Sequence, residues 1–171
     1  MIIVKRLSKA VVVFMLSFTT YIVFSGSIQP YDLATGAVVA GIVGALFANI
    51  TLSNPGKVID PARWFWLMVY ALRYFTIDET KAHLDVIKRI LHPRTPVNPA
   101  IVKVPYEADS DYTITAIANS ITNTPGTVVV EVREDEKAFY VHWIDAKTVE
   151  PSGARNEVSF VFEKYSRRIF E

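Results

Sequence analysis

The chain has 171 residues, a net charge of +1 and 51% hydrophobic residues, a high share for a soluble domain. It has no cysteine, which excludes disulfides, thiol catalysis and cysteine-ligated zinc. Residues 1–100 carry ten Lys and Arg against five Asp and Glu, and residues 101–171 carry eight against twelve, so the acidic C-terminal part lacks the clustered cations that nucleic-acid binding requires.

Two uncharged runs, Ala10–Ile28 and Leu33–Leu52, dominate the N-terminal third. An α-helix of about 20 apolar residues crosses the roughly 30 Å hydrocarbon core of a bilayer. Because residues 29–32 alone separate the runs, residues 1–57 are predicted to form a two-helix transmembrane hairpin. A secretory signal is the alternative for the first run, but the run is long for a signal core and a second span follows at once.

Cations flank this hairpin on one side only. Lys5, Arg6 and Lys9 precede the first run, and Lys57 and Arg63 follow the second, whereas the turn has none. Since Lys and Arg are retained on the cytoplasmic side, we predict a multi-pass plasma-membrane protein with a cytoplasmic N-terminus and a cytoplasmic C-terminal domain.

Small residues recur at four-residue spacing along the second predicted span. They are Gly36, Ala40, Gly44 and Ala48. In lipid, close backbone approach over small residues drives helix association, so this row predicts a helix-packing interface. Two partners fit the row, a helix of another protein or the first helix of the same chain.

The two uncharged runs also exclude one role. They contain no Asp, Glu, Lys, Arg or His, and ion or proton pathways through hydrocarbon need ionisable or strongly polar side chains. The hairpin alone is therefore not expected to conduct ions.

Residues 58–92 are predicted to form an interfacial, amphipathic helical segment. Asp60-Pro61 is a helix-start signal, and Leu84, Ile87 and Leu91 later share one helical face. Trp and Tyr favour the headgroup level of a membrane. The predicted membrane-interface anchors are Arg63, Trp64, Trp66, Tyr70, Arg73 and Tyr74. The alternative is a third full span over residues 64–77, which would place the C-terminal domain outside.

After a proline-rich linker at residues 93–100, residues 101–171 are predicted to form a small cytoplasmic α+β domain of order β-α-β-β-α. A strand at 101–106 precedes a helix that reaches residue 121, and the strands at 127–133 and 138–144 form a hairpin. Val128, Val130 and Val132 share one face of the first hairpin strand, and the second is expected to bury Phe139, Val141 and Trp143. A final helix is predicted at Asn156–Phe170.

No residue pattern indicates chemistry. His83, His92 and His142 are isolated and have no regular Asp or Glu spacing around them, so no metal site is expected. The sequence also lacks a phosphate-binding glycine loop and a nucleophile elbow. We expect no catalytic residue, no cofactor and no enzyme activity.

Two segments nevertheless resemble a known family, the MnhE/MrpE-type subunits of multisubunit Na+/H+ antiporters. The residues that carry the resemblance are Asn119, Ser120, Thr122, Thr124, Pro125, Gly126 and Thr127, followed by His142 and Trp143. Similar subunits occur in archaeal respiratory complexes that join an antiporter-like module to a membrane-bound hydrogenase or a sulfur-reducing relative. The resemblance implies an accessory, non-catalytic subunit whose partners are other hydrophobic subunits and the bilayer, and it leaves the choice among these assemblies open.

A second function remains compatible with the residues alone. The chain would then be a self-standing membrane-tethered adaptor or sensor whose α+β domain binds a soluble partner. The two functions differ in the expected mass of the gently solubilised protein, which is large for a complex subunit and small for an adaptor.

Overall fold

The structure, a computed structural model, describes residues 2–171, with side chains from Arg6 onward. It divides into two compact units, the first ending at Asp60 and the second beginning at Pro61. Each unit is described by itself below.

The first unit is a helical hairpin. It consists of α1 (Ile2–Ser25), α2 (Pro30–Thr51) and the short α3 (Gly56–Ile59). The described part of α1 and the whole of α2 are long and apolar enough to cross a membrane, so the two predicted apolar N-terminal helices are confirmed. The chain reverses at Gly26, whose φ of 64° is readily adopted only by glycine.

The second unit begins with two helices joined by an irregular turn. They are α4 (Pro61–Arg73) and α5 (Glu79–Leu91), and residues Tyr74–Asp78 between them form a π-helical turn. A π turn contains one residue more than an α turn, and it usually reflects a local constraint rather than sequence preference.

A three-stranded antiparallel sheet follows. Its strands are β1 (Ala100–Pro105), β2 (Thr127–Arg133) and β3 (Ala138–Trp143), in the spatial order β1-β3-β2. Helix α6 (Asp111–Asn123) connects β1 to β2 and begins at Ser110, whose hydroxyl oxygen accepts a hydrogen bond from the Thr113 amide. The predicted small C-terminal domain of antiparallel strands and helices is thus confirmed.

One face of the sheet packs against helices and forms the core. The buried residues of the three strands and of the helices are Val102, Val104, Phe139, Val141, Ile117, Ile121 and Phe162. The opposite face carries exposed side chains, among them Ile101, Val128 and His142. The domain therefore has a single layer of helices on a single sheet.

The C-terminal helical segment differs from its prediction. Two helices, α7 (Pro151–Val158) and α8 (Phe160–Phe170), replace the single predicted helix at Asn156–Phe170. Glu150 caps α7, since its carboxylate accepts hydrogen bonds from the amides of the second and third helical residues, at 3.0 and 2.6 Å. The backbone then leaves helical geometry at Ser159.

Strand β2 also differs in detail. Val128, Val130 and Val132 are all exposed, whereas Val129 packs against the core. A β-bulge between Val129 and Glu131 interrupts the register with β3. An extra residue in one strand shifts the alternation of faces, so a two-residue period along the sequence does not identify the buried side here.

Candidate functional site

The small-residue row of α2 lies against α1. Gly36, Ala40, Gly44 and Ala48 are the buried residues of α2. A Cβ atom at Gly44 would lie 2.8 Å from the Ala10 carbonyl oxygen, and one at Gly36 would lie 2.6 Å from the Tyr21 ring. Of the two partners considered for this row, the structure places the first helix of the same chain there.

A second set of small residues lies on an open side of α2. A Cβ atom at Gly41 would meet no other atom within 4 Å, and Ala45 is exposed one turn further along. These two residues line a shallow apolar groove of about 250 Å³, bounded on the α1 side by Val11 and Phe14. The groove lies next to the packed row and has room for side chains from outside the hairpin.

In the second unit, one face of α4 packs against α8 through aromatic rings. The Tyr70 ring stacks on Tyr165 with 5.5 Å between centroids, and the Trp66 centroid lies 6.3 Å from that of Tyr165. Tyr74 meets Phe162 edge to face at 5.8 Å and is itself buried. Such pairs add about 0.5–1.5 kcal/mol each beyond the burial of their area, so these rings hold α4 on the C-terminal domain.

Cations reinforce the contact between α4 and α8. The guanidinium of Arg63 donates hydrogen bonds to the backbone carbonyls of Ile169 and Glu171, at 2.6 and 3.0 Å. Cations at a helix C-terminus satisfy its unpaired carbonyls and its dipole. The guanidinium of Arg168 also lies 4.4 Å from the centre of the Trp66 ring, within cation–π range.

Two tyrosine hydroxyls join α4 and the π turn to the end of α6. The hydroxyls of Tyr70 and Ser120 are hydrogen-bonded. Ser120 donates its own proton to the Ala116 carbonyl, so Tyr70 is the donor. Tyr74 donates to the Ser120 carbonyl at 3.3 Å. Burial raises the pKa of both phenols to about 12, which keeps them protonated at neutral pH and suits them to positioning rather than to proton relay.

The threonines of the family motif satisfy backbone groups where α6 turns into β2. The hydroxyl of Thr124 donates to the Ser120 carbonyl at 2.7 Å, and that of Thr127 donates to the Ile121 carbonyl at 2.8 Å. The Thr122 hydroxyl accepts a hydrogen bond from the Val129 amide at 3.3 Å. Helix-terminal carbonyls need such partners, so these positions build the turn.

Gly126 completes this turn. Its φ of 97° is strained for any residue with a Cβ atom, and that atom would lie 3.1 Å from the Ile144 side chain. Its carbonyl accepts the Ile144 amide at 2.9 Å. Pro125 precedes it at a half-buried position, and together they let the end of α6 meet the end of β3.

The other motif residues divide between core and surface. Trp143 packs against the core, while His142 is exposed on the open sheet face, where its register neighbours are Ile101 and Val128. Asn119 and Asn123 are exposed on α6. The motif therefore places most of its members at the junction of α6, β2 and α4, and one histidine on a free face.

The predicted membrane anchors separate onto two faces of α4. Arg63, Trp66, Tyr70 and Tyr74 contact the C-terminal domain, and Arg73 pairs with Asp78 at 3.3 Å. Only Trp64 of this set points away, in a row that we call the outer face of α4. The outer face comprises the exposed residues Trp64, Phe65, Met68, Leu72 and Phe75. Trp66, Tyr70 and Tyr74 recur every four residues, and that spacing is the sequence signal that separates them from the outer face.

A buried ion pair lies at the other end of the domain core. Glu163 is 2% exposed. Its carboxylate accepts a hydrogen bond from the Glu107 amide at 2.7 Å and another from Arg155 at 3.2 Å. Arg155 also contacts the carboxylate of Glu107 at 2.8 Å. These contacts hold α7, α8 and the segment after β1 together.

The sequence that builds this architecture matches a known family. A family model described as "Na+/H+ ion antiporter subunit" matches residues 14–169, which include α2, the α4 junction and the motif turn. The chain belongs to this antiporter subunit family. The resemblance to the MnhE/MrpE-type subunits is thereby confirmed, and so is the predicted character of a membrane subunit. The two apolar helices agree with this membrane assignment.

Relatives of known name lie at moderate distance. The E1 subunit of the Na(+)/H(+) antiporter of Staphylococcus haemolyticus (strain JCSC1435) is 30% identical over 80% of this chain and 82% of its own length. The corresponding antiporter protein of Alkalihalophilus pseudofirmus is 33% identical over 52% of this chain and 56% of its own length. Both are named as components of transport systems rather than as enzymes.

A solved structure is similar over nearly the whole chain. A chain of the membrane-bound sulfane sulfur reductase, an archaeal respiratory membrane complex, superimposes with a TM-score of 0.82 at 30% identity. The match covers 95% of this chain and 99% of the other. This fold therefore occurs in a respiratory complex, and the named relatives come from antiporters.

Proposed function

We propose that this chain is an accessory, non-catalytic subunit of a multisubunit Na+/H+ antiporter module that assembles and stabilises the complex. The observation that carries the proposal is the contrast between its spans and its family. The family is one of antiporter subunits, yet the runs Ala10–Ile28 and Leu33–Leu52 contain no charged side chain or histidine. A helix without such groups packs against neighbours but does not relay cations or protons.

The hairpin contributes a surface for a transmembrane helix of another subunit. Because α1 occupies the row that contains Gly44, the free small-residue surface is the groove at Gly41 and Ala45. Van der Waals packing over small residues is the main source of helix affinity in lipid. The proposed partner therefore contacts the groove side of α2.

The second unit lies on the cytoplasmic side, with the outer face of α4 against the inner membrane surface. The distribution of Lys and Arg at both ends of the hairpin supports this orientation. The bilayer-facing anchor among the predicted set is then Trp64, together with its apolar neighbours on the outer face. In this position the C-terminal domain braces cytoplasmic segments of partner subunits.

The parent assembly is either a stand-alone antiporter or an archaeal respiratory complex. The similarity to the sulfane sulfur reductase chain supports the respiratory assembly, and the named antiporter relatives support the other. Reading frames next to the gene separate the two, because hydrogenase or sulfur-reductase frames accompany only a respiratory complex.

Affinity purification of the tagged chain from native membranes in a mild detergent tests the proposal. We expect several hydrophobic proteins at constant ratio to the chain. Recovery of the chain by itself, at a mass near 19.2 kDa, contradicts a subunit role and favours a self-standing adaptor. A Gly41→Leu variant should lose partners while its own hairpin remains folded.

A further inference from the structure

The π turn between α4 and α5 sets which side of α5 faces the domain. With 3.6 residues per turn, an uninterrupted helix that directs Tyr70 and Tyr74 inward would next bring residues 77, 81, 84 and 88 to the same side. The residue added by the π turn moves these positions forward by one. The half-buried residues are in fact Asp78, Ala82, Val86 and Arg89.

Contacts of α5 confirm this rotation. The guanidinium of Arg89 lies 2.7 Å from the carboxylate of Asp145 and donates to the Pro96 carbonyl at 2.9 Å. The Val86 side chain lies close to Gly126, at 3.8 Å from the position of a Cβ atom there. The polar and small side of α5 is therefore the side that meets the domain.

The rotation leaves an apolar row on the opposite side. Leu84, Ile87 and Leu91, which we call the outer face of α5, are about 50%, 46% and 77% exposed. The sequence pattern alone indicates a water-facing α5. In the structure its apolar residues follow the outer face of α4 along the same helical segment, both pointing away from the domain.

We propose that the outer face of α5 lies, with that of α4, in the headgroup region of an anionic membrane surface. The inference deepens the proposed function and rests on its placement of α4 at the inner membrane surface. A one-sided apolar strip on a charged helix is the pattern of helices that lie in the interface plane rather than across it.

Charge supports the choice of lipid over protein as the occupant. Lys81 and Lys88 flank Leu84 at helical spacing, and no hydrogen bond or ion pair ties either ammonium group to another side chain in the described residues. Lysine stems can lie along apolar surface while the ammonium reaches phosphate groups. Asp85, on the same flank, has its carboxylate bound by Arg89 at 2.8 Å.

Chain connectivity supports the same occupant. Residues 52–60 alone separate the end of α2 from the start of α4, and so few residues cannot carry α4 far from a membrane that α2 crosses. The inward side of α4 and α5 is tied to the domain by hydrogen bonds and ion pairs. A full third span would have to break these contacts.

The absence of cysteine permits single nitroxide labels on the full chain in vesicles. Labels replace Leu72 on α4, Leu84 on α5, and Val149, an exposed residue outside both helices. Collisions with oxygen report a lipid environment, and collisions with a water-soluble nickel chelate report water. In vesicles that contain phosphatidylglycerol we expect the Leu72 and Leu84 labels to favour oxygen and the Val149 label to favour nickel.

The outcomes separate this inference from the proposed function. A Leu84 label in water beside a Leu72 label in lipid overturns the inference and leaves the placement of α4 intact. Both labels in water overturn both. A Leu84 label shielded from both reagents means that protein covers the strip, which also overturns the inference.

Lysine substitutions test the anionic component. In phosphatidylglycerol vesicles, the change Lys81→Gln together with Lys88→Gln should lower the membrane-bound population of the Leu84 label about fivefold per lysine. In neutral phosphatidylcholine vesicles it should have little effect. Equal effects of the double substitution in the two vesicle types contradict recognition of anionic headgroups.

Discussion

Enlarging two glycines on neighbouring sides of α2 should have different consequences. The Cβ atom of Gly44→Ala would lie 2.8 Å from the Ala10 carbonyl oxygen, so α1 and α2 must separate. Overpacking of this kind costs about 1–3 kcal/mol, and Gly44→Leu should exceed that. At Gly41 the space is open, so Gly41→Leu should leave the hairpin stable.

The assay follows two quantities on the full chain. Cysteine pairs placed on α1 and α2 report the distance between the helices through spin labels, and co-purification reports binding to partner subunits. We expect Gly44→Leu to increase the interhelical distance and Gly41→Leu to retain it while reducing partner recovery. An unchanged distance in Gly44→Leu would refute the packing that the structure assigns to this row. Full partner recovery with Gly41→Leu would refute the groove as the docking surface.

Three further changes test the C-terminal unit by its thermal unfolding in the full chain. Because burial raises the pKa of Tyr70 and Tyr74 to about 12, ionisation opposes folding only above their ordinary value of 10.0. Stability should therefore be complete below pH 10 and fall between pH 10 and 12, and the double Tyr→Phe variant should lose much of this dependence. Glu163→Leu should destabilise the domain by about 3 kcal/mol because Arg155 loses a buried partner, whereas Glu163→Gln should cost less; equal losses contradict the ion pair. Gly126→Ala should cost about 1–3 kcal/mol at its positive φ, and an unchanged midpoint contradicts the strained turn.

The hairpin could be predicted from sequence because its signals are local. Uncharged length, the small-residue period and the position of lysines and arginines all act within about 50 residues of chain, and membrane solvation leaves few alternative structures. The partner of the Gly44 row could not be predicted, since the period of small residues is the same for a helix of this chain and for a foreign one.

The α4 junction illustrates what sequence leaves hidden. Composition groups its aromatic residues together as membrane anchors, yet Tyr70 bonds Ser120, which lies 50 positions away in the chain. Only the fold shows that α4 has two apolar faces with different partners. The π turn is likewise a response to tertiary contact, because the residues Tyr74–Asp78 carry no local signal for it.

The family motif shows a third case. Its turn is predictable from Pro125 and Gly126, since each fixes a backbone geometry. From sequence, the hydroxyls of Thr122, Thr124 and Thr127 fit either a ligand or helix carbonyls and the turn, and the structure gives each a backbone partner. His142 is the motif residue whose exposure on the open sheet face leaves it available to a partner subunit.

Transport by the isolated chain is the most direct measure of whether its spans serve packing alone. The purified full chain is reconstituted into liposomes with an imposed pH gradient, and Na+ is added outside while an internal dye reports proton movement. With charge-free helical spans, the chain should leave the gradient as stable as in protein-free liposomes, while the intact complex dissipates it. Sodium-dependent proton movement through the isolated chain would contradict an accessory, non-conducting role.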